Sequence, residues 1–244
     1  MLLPVLFTAL LASGSAPRPE TDKVFPSGPR LAAKTLRLSI HFREAQSGAV
    51  LPRLALRDQT GKVRRDMFLS QELWSPDQKI LTVLFDPGRL KTGIGRRETM
   101  GPPLAGLSAV TLTLDGSPLK RWRVDQYPCQ SINPELWRIE APQLNTRSPL
   151  RVKLPEAVDI QSEHLLAVVD SSGQRVSGTE QLTAAETLWL FKPGVPWLPG
   201  EYRLVLHPDF ENPCGDRVDD NFEHSIRTQA RSAAMLKFVV RQRR

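Results

Sequence analysis

One strand-and-turn pattern occurs twice in this chain, and the repetition constrains its fold more than any other feature. Leu38-x-Ile40-x-Phe42-x-Glu44-Ala45 leads to Asp58-x-x-Gly61; 112 residues further on, Leu150-x-Val152-x-Leu154-x-Glu156-Ala157 leads to Asp170-x-x-Gly173. A second shared segment follows in the same order at an offset of 106, Phe85-Asp86-Pro87-Gly88 against Phe191-Lys192-Pro193-Gly194. Apolar residues at every second position bury one side of a strand and wet the other. Asp and Gly at the next break supply turn chemistry. A chain of 244 residues built this way divides into two units, each long enough to bury its own core.

The remaining runs fit the same plan. Val110, Leu112 and Leu114 alternate with threonines, and Trp122 and Val124 alternate with Arg121, Arg123 and Asp125. Ile80 to Phe85 is nearly continuous in apolar residues, which suits a central strand. The second unit repeats the set with Leu165 to Val169, Leu188 to Phe191 and Tyr202/Leu204/Leu206. Short strands separated by turns, with 21 prolines and few long helical patterns, predict an all-β chain of antiparallel sandwiches. Leu198-Pro199-Gly200-Glu201-Tyr202 places a tyrosine at a strand start just after a Pro-Gly turn, the setting of a tyrosine corner. Ser108 stands at the matching point of the first unit, which lacks that device.

In their order these elements resemble the bacterial immunoglobulin-like domains of S-layer and other envelope proteins. The resemblance rests on the Phe-x-Glu element at Phe42-Arg43-Glu44 and its counterpart Leu154-Pro155-Glu156, and on Phe85-Asp86-Pro87 and Phe191-Lys192-Pro193. It extends to the corner at Leu198 to Tyr202 and the loop Asp209 to Asp216. Both copies carry Ala where the family often has Pro, and the first copy lacks the final loop. The resemblance implies two tandem immunoglobulin-like antiparallel β-sandwiches, acting as structural or binding modules without a family-wide active site. It also implies a pairing of the two cysteines: Cys129 would precede the first strand of the second sandwich and Cys214 would lie in the loop before its last strand, at the same end of the sandwich.

The expected organisation is a secretory leader over 1–16, a linker over 17–29, sandwiches over 30–127 and 128–227, and a basic tail or edge strand over 228–244. Met1 to Pro17 is uncharged, with a short apolar run and then small residues, as in a cleavable leader, although no basic residue precedes the run. The net charge of +7 is divided unevenly. Residues 30–127 hold 17 basic and 9 acidic side chains, residues 128–227 hold 9 and 15, and the tail holds five basic ones. Relative to the second unit, the first contains 12 extra residues between Gly88 and Gly106. This basic insert, 89–103, carries Arg89, Lys91, Arg96 and Arg97, a candidate binding loop for an anionic polymer, lipid head group or acidic protein face.

The pattern argues against several chemistries. The insert's glycines are not followed by Gly-Lys-Ser/Thr, so no phosphate loop is expected. His41, His164, His207 and His224 share no ligand spacing. Asp216, Asp219, Asp220, Asn221 and Glu223 offer oxygen ligands for calcium but lack the EF-hand spacing, and read as turn and surface acids. No nucleophile elbow is present, and no cofactor is expected. The expected function is therefore an exported, non-catalytic protein of the periplasm, cell envelope or exterior. It would bind an envelope protein or anionic surface polymer, with no transmembrane segment and no nucleic acid. A purely structural spacer and a sandwich-fold hydrolase are the alternatives.

Overall fold

The computed structural model describes residues 20–65, 67–85, 101–126, 129, 131–218 and 235–242. The first unit contains β1 (Thr21–Phe25), β2 (Arg30–Ala32), β3 (Arg37–Phe42), β4 (Leu54–Asp58), β5 (Val63–Arg64), β6 (Leu73–Trp74), β7 (Ile80–Leu84), β8 (Ala109–Leu114) and β9 (Ser117–Asp125). The second contains β10 (Arg138–Glu140), β11 (Leu150–Lys153), β12 (Leu166–Val169), β13 (Gly178–Thr183), β14 (Leu188–Pro193), β15 (Gly200–Leu206) and β16 (Met235–Val240). Short 3-10 turns are the only helical pieces among the described residues.

The second unit pairs its strands as β10-β11-β14-β13 in one sheet and β12-β15-β16 in the other. In chain order these are strands one, two, five and four against three, six and seven, the constant-type immunoglobulin arrangement. The first unit repeats it with β1-β3-β7-β6 against β2-β9-β8-β4-β5. Both units are immunoglobulin-like sandwiches. Among the described strands, pairing is antiparallel except between β2 and β9, which run parallel. That exception has a simple origin: after β1 pairs with β3, the chain passes Pro26 to Pro29 and crosses to the opposite sheet.

Each sandwich has its own apolar cluster. Leu38, Ile40, Leu56, Leu81, Val83, Leu112 and Trp122 fill the first, and Val152, Leu166, Val168, Trp189, Trp197, Leu204 and Phe238 fill the second. The repeated segments hold equivalent places, since β3 and β11 are each flanked by an edge strand and by β7 or β14. The repeated turns are built alike. Asp58 Oδ1 accepts from the Thr60 and Lys62 amides and the Thr60 hydroxyl, and Asp170 Oδ1 accepts from the Ser172 and Gln174 amides and the Ser172 hydroxyl. Gly61 and Gly173 sit at φ 86° and 85°, a conformation that a side chain disfavours.

Two expected boundaries change. Thr21–Phe25, read as linker, is strand β1, with Val24 in the first core. Its first three residues are polar, and Thr21 and Lys23 pair with β3 around a register shift at Asp22, so no alternation marks them. Met235–Val240, read as a tail or edge strand outside 128–227, is the edge strand β16; it pairs with β15 and buries Phe238 and Val240. In the second unit, Pro134–Leu136 forms a 3-10 turn capped by Asn133, and the first strand begins after it at Arg138.

Candidate functional site

The two sandwiches meet through a polar joint. Arg37, on β3, sends its guanidinium across to the second unit, where Nε donates to Asp159 Oδ2 at 2.8 Å and Nη2 contacts Glu211. Asp159 is held in place by its own chain, since its other carboxylate oxygen accepts from the Gln161 amide and caps the turn Ile160–His164. Gln161 in turn donates to the Thr82 hydroxyl of β7 at 2.9 Å, and the Leu36 amide donates to the Pro213 carbonyl at 3.0 Å. Burial opposes the charge on Arg37, but Asp159 and Glu211 outweigh it and raise its pKa further.

A second contact lies at the crossover between β1 and β2. Glu186 accepts from the Ser27 amide at 2.9 Å and from its hydroxyl at 2.5 Å, while Lys120 donates to the Ser27 carbonyl. Glu186 is 2% exposed and sits in the β13–β14 turn, where Ala184, Ala185 and Glu186 all have positive φ. Three successive left-handed non-glycine residues are costly, so this turn is held by its contacts. Burial pushes the Glu186 carboxyl above the usual carboxylate range, and the Ser27 hydrogen bonds oppose that shift. A raised pKa contributes stability that is full below the unfolded value and is lost as pH rises through the folded one.

Cys129 and Cys214 form a disulfide, with Cα atoms 6.3 Å apart. Asp216 lies within 4.8 Å of both sulfurs, but these are spent in the bond to each other and offer no thiolate to a metal. Asp219, Asp220, Asn221 and Glu223 lie outside the described residues. So do the candidate loop residues Arg89, Lys91, Arg96 and Arg97, and His224.

The other three histidines stay apart. His41, on β3, lies 4.8 Å from the Phe25 ring, and burial, aided by Lys23, lowers its pKa. His164 contacts Glu180 at 3.1 Å, and His207 lies beside Asp209. The Tyr202 hydroxyl donates to the Leu198 carbonyl at 3.1 Å, with the ring packed edge-on to Trp197 and stacked on Phe238.

Sequence patterns missed the joint residues Arg37, Asp159, Glu186 and Glu211. They are isolated charges with no local spacing in common. The uncommon feature was a carboxylate at the tip of a strand-to-strand turn without glycine, Ala184-Ala185-Glu186.

The five-stranded sheet presents a second candidate surface. Trp122 and Val124 face the core, so Arg121 and Arg123 face outward, and Arg57 on β4 shares their side. This arginine alternation was visible in the sequence as a strand pattern, without its neighbours across the sheet.

No known protein family and no curated protein matches the chain. Among solved structures, the pullulanase SAP of Group B Streptococcus aligns at 9% identity with a TM-score of 0.24, covering 78% of this chain and 22% of that one. Domains 5–6 of the S-layer protein SbsC align at 9% identity and a TM-score of 0.26, covering 91% and 98%. The titin domains Z1Z2, solved in complex with telethonin, align at 10% identity and a TM-score of 0.24, covering 93% and 96%. The fold assignment rests on strand order and register. No helix among the described residues is long and apolar enough to cross a membrane.

Proposed function

We propose that this chain is an exported, non-catalytic adaptor in which two immunoglobulin-like sandwiches are held in fixed orientation to bind an anionic or protein partner. The observation that carries the reading is the joint: Arg37 of the first sandwich is shared by Asp159 and Glu211 of the second, all three largely buried. A flexible tether between independent domains needs no such pairing. Export is supported by the uncharged apolar start of the sequence and by the disulfide, which persists in oxidising compartments. The insert residues Arg89, Lys91, Arg96 and Arg97 are proposed to add to the binding surface.

A distance measurement tests the reading. Spin labels at Lys62 and Lys192, both exposed and one in each sandwich, should give a single narrow distance distribution. Replacing Arg37 and Glu186 together with alanine should broaden it. A distribution already broad in the unaltered protein would refute the fixed orientation.

A further inference from the structure

We infer that the outer face of the five-stranded sheet is a docking surface for an acidic polysaccharide. This rests on the reading that the chain binds an anionic partner, and it identifies the partner's chemistry and the face that meets it. Register places Arg57, Thr111 and Arg121 in one row across β4, β8 and β9. Arg123 follows two residues along β9, paired with Ala109 on one side and Arg30 on the other. Strand spacing and rise put Arg57 and Arg121 about 10 Å apart along the row, and Arg121 and Arg123 about 7 Å apart along the strand. Asp125, which lies on the same face, is engaged by Arg30 through two hydrogen bonds of 2.6 and 2.7 Å. Arg57 spends one N–H on the Gly61 carbonyl at 3.1 Å. Among the described residues, no carboxylate pairs with Arg57, Arg121 or Arg123.

The surroundings select the occupant. Thr111 stands between two guanidinium groups, and the half-buried Ala109 leaves the face low beside Arg123. The strands of this sheet contribute one aromatic residue, Trp122, and it is buried in the core. Protein interfaces are anchored by Trp, Tyr and Arg seated in well-packed, desolvated pockets, and the strands of this face offer exposed arginines with no aromatic beside them. A single-stranded nucleic acid is gripped by aromatic platforms. A hydroxyl-rich polymer with regularly spaced anions needs neither. Its carboxylates or sulfates meet planar guanidinium forks in bidentate pairs, and its backbone lies flat over small residues.

The test titrates polygalacturonate into the full chain by calorimetry at low ionic strength. Unaltered protein should bind, with affinity falling as salt is raised. Arg57→Glu/Arg121→Glu/Arg123→Glu should weaken binding roughly tenfold or more. Arg138→Glu/Lys192→Glu/Arg241→Glu changes net charge equally on exposed residues of the second sandwich, and should leave affinity within about twofold. Circular dichroism verifies folding, and the glutamine triple at the same three arginines replaces a variant that fails to fold.

Four results would each overturn the proposal: no binding, equal loss in both triples, or tighter binding of either polyglutamate or single-stranded DNA. The spin-label distances are independent of this outcome. A rigid pair that ignores polygalacturonate removes the docking surface alone, and a broad distribution removes the fixed orientation alone.

Discussion

Removing the Arg37 side chain while keeping its bulk, as Arg37→Met, isolates the energetics of the joint. The arginine side chain is 21% exposed and its partners Asp159 and Glu211 are 6% and 12% exposed. Breaking a buried pair costs about 3–5 kcal/mol, because the surviving charge is left in a poor solvent. Exposed pairs are worth only about 0–1 kcal/mol. Two features moderate the loss here. Asp159 keeps the Gln161 amide, and Glu211 keeps Arg217 at 3.4 Å. We therefore expect a loss of about 2–3 kcal/mol. Urea unfolding followed by tryptophan fluorescence reads it, with Trp122 in the first core and Trp189 in the second. The triple variant Arg37→Met/Asp159→Asn/Glu211→Gln should recover most of the loss, since it removes the stranded charges together with the cation. A cost below about 0.5 kcal/mol for the single variant, or a triple variant no better than the single one, would refute the argument.

Three further outcomes follow from local geometry. Gly178→Ala places a Cβ 2.5 Å from the Lys192 carbonyl oxygen and the Phe191 ring, and should destabilise the second sandwich by about 1–3 kcal/mol in urea unfolding. Tyr202→Phe removes the hydroxyl that donates to Leu198 and should cost about 1 kcal/mol by the same measurement, with binding at the first sandwich unchanged. The Thr60 hydroxyl, the neighbouring amides and Arg64 hold the Asp58 carboxyl down to about 2, against the effect of burial. Its stabilisation is thus present above the ordinary carboxylate range and is lost as pH falls through about 2. An acid titration of Asp58→Asn should show a flatter stability profile over that window, and an unchanged slope would count against the capped turn.

Much of the architecture is legible in the sequence because sandwich strands with one wet face must alternate. Leu38/Ile40/Phe42 and Val110/Leu112/Leu114 announce β3 and β8 by that rule alone. The twin turns are legible too, since Asp at the first position and Gly at the left-handed one each answer a local demand. Edge strands escape the rule. β2 and β13 present Arg30-Leu31-Ala32 and Gly178-Thr179-Glu180-Gln181-Leu182-Thr183, where pairing is carried by backbone and few side chains reach a core. The joint escapes it altogether. Arg37 meets Asp159 and Glu211 across separations of 122 and 174 residues, and no local constraint links the identities of residues so far apart. The outward arginines are intermediate: their side of the strand is readable, but their grouping needs the register of three strands.

The disulfide has a mechanical consequence. Tension applied along the chain reaches Cys129 from the first sandwich and can leave through Cys214 without traversing the 85-residue span that separates them. Strands β10 to β15 lie inside that span and are shielded from a steady pull, whereas the pairing of β16 with β15 lies beyond the staple and carries load. In the first sandwich, force that has passed β1 reaches the start of β2 and leaves at the end of β9, so it acts on two parallel neighbours from opposite ends. Their three residue pairs are loaded together in shear, so they resist as a group instead of opening one at a time. An oxidised chain under tension would thus bypass the span between the two cysteines, with the pull carried by the first sandwich and by β16.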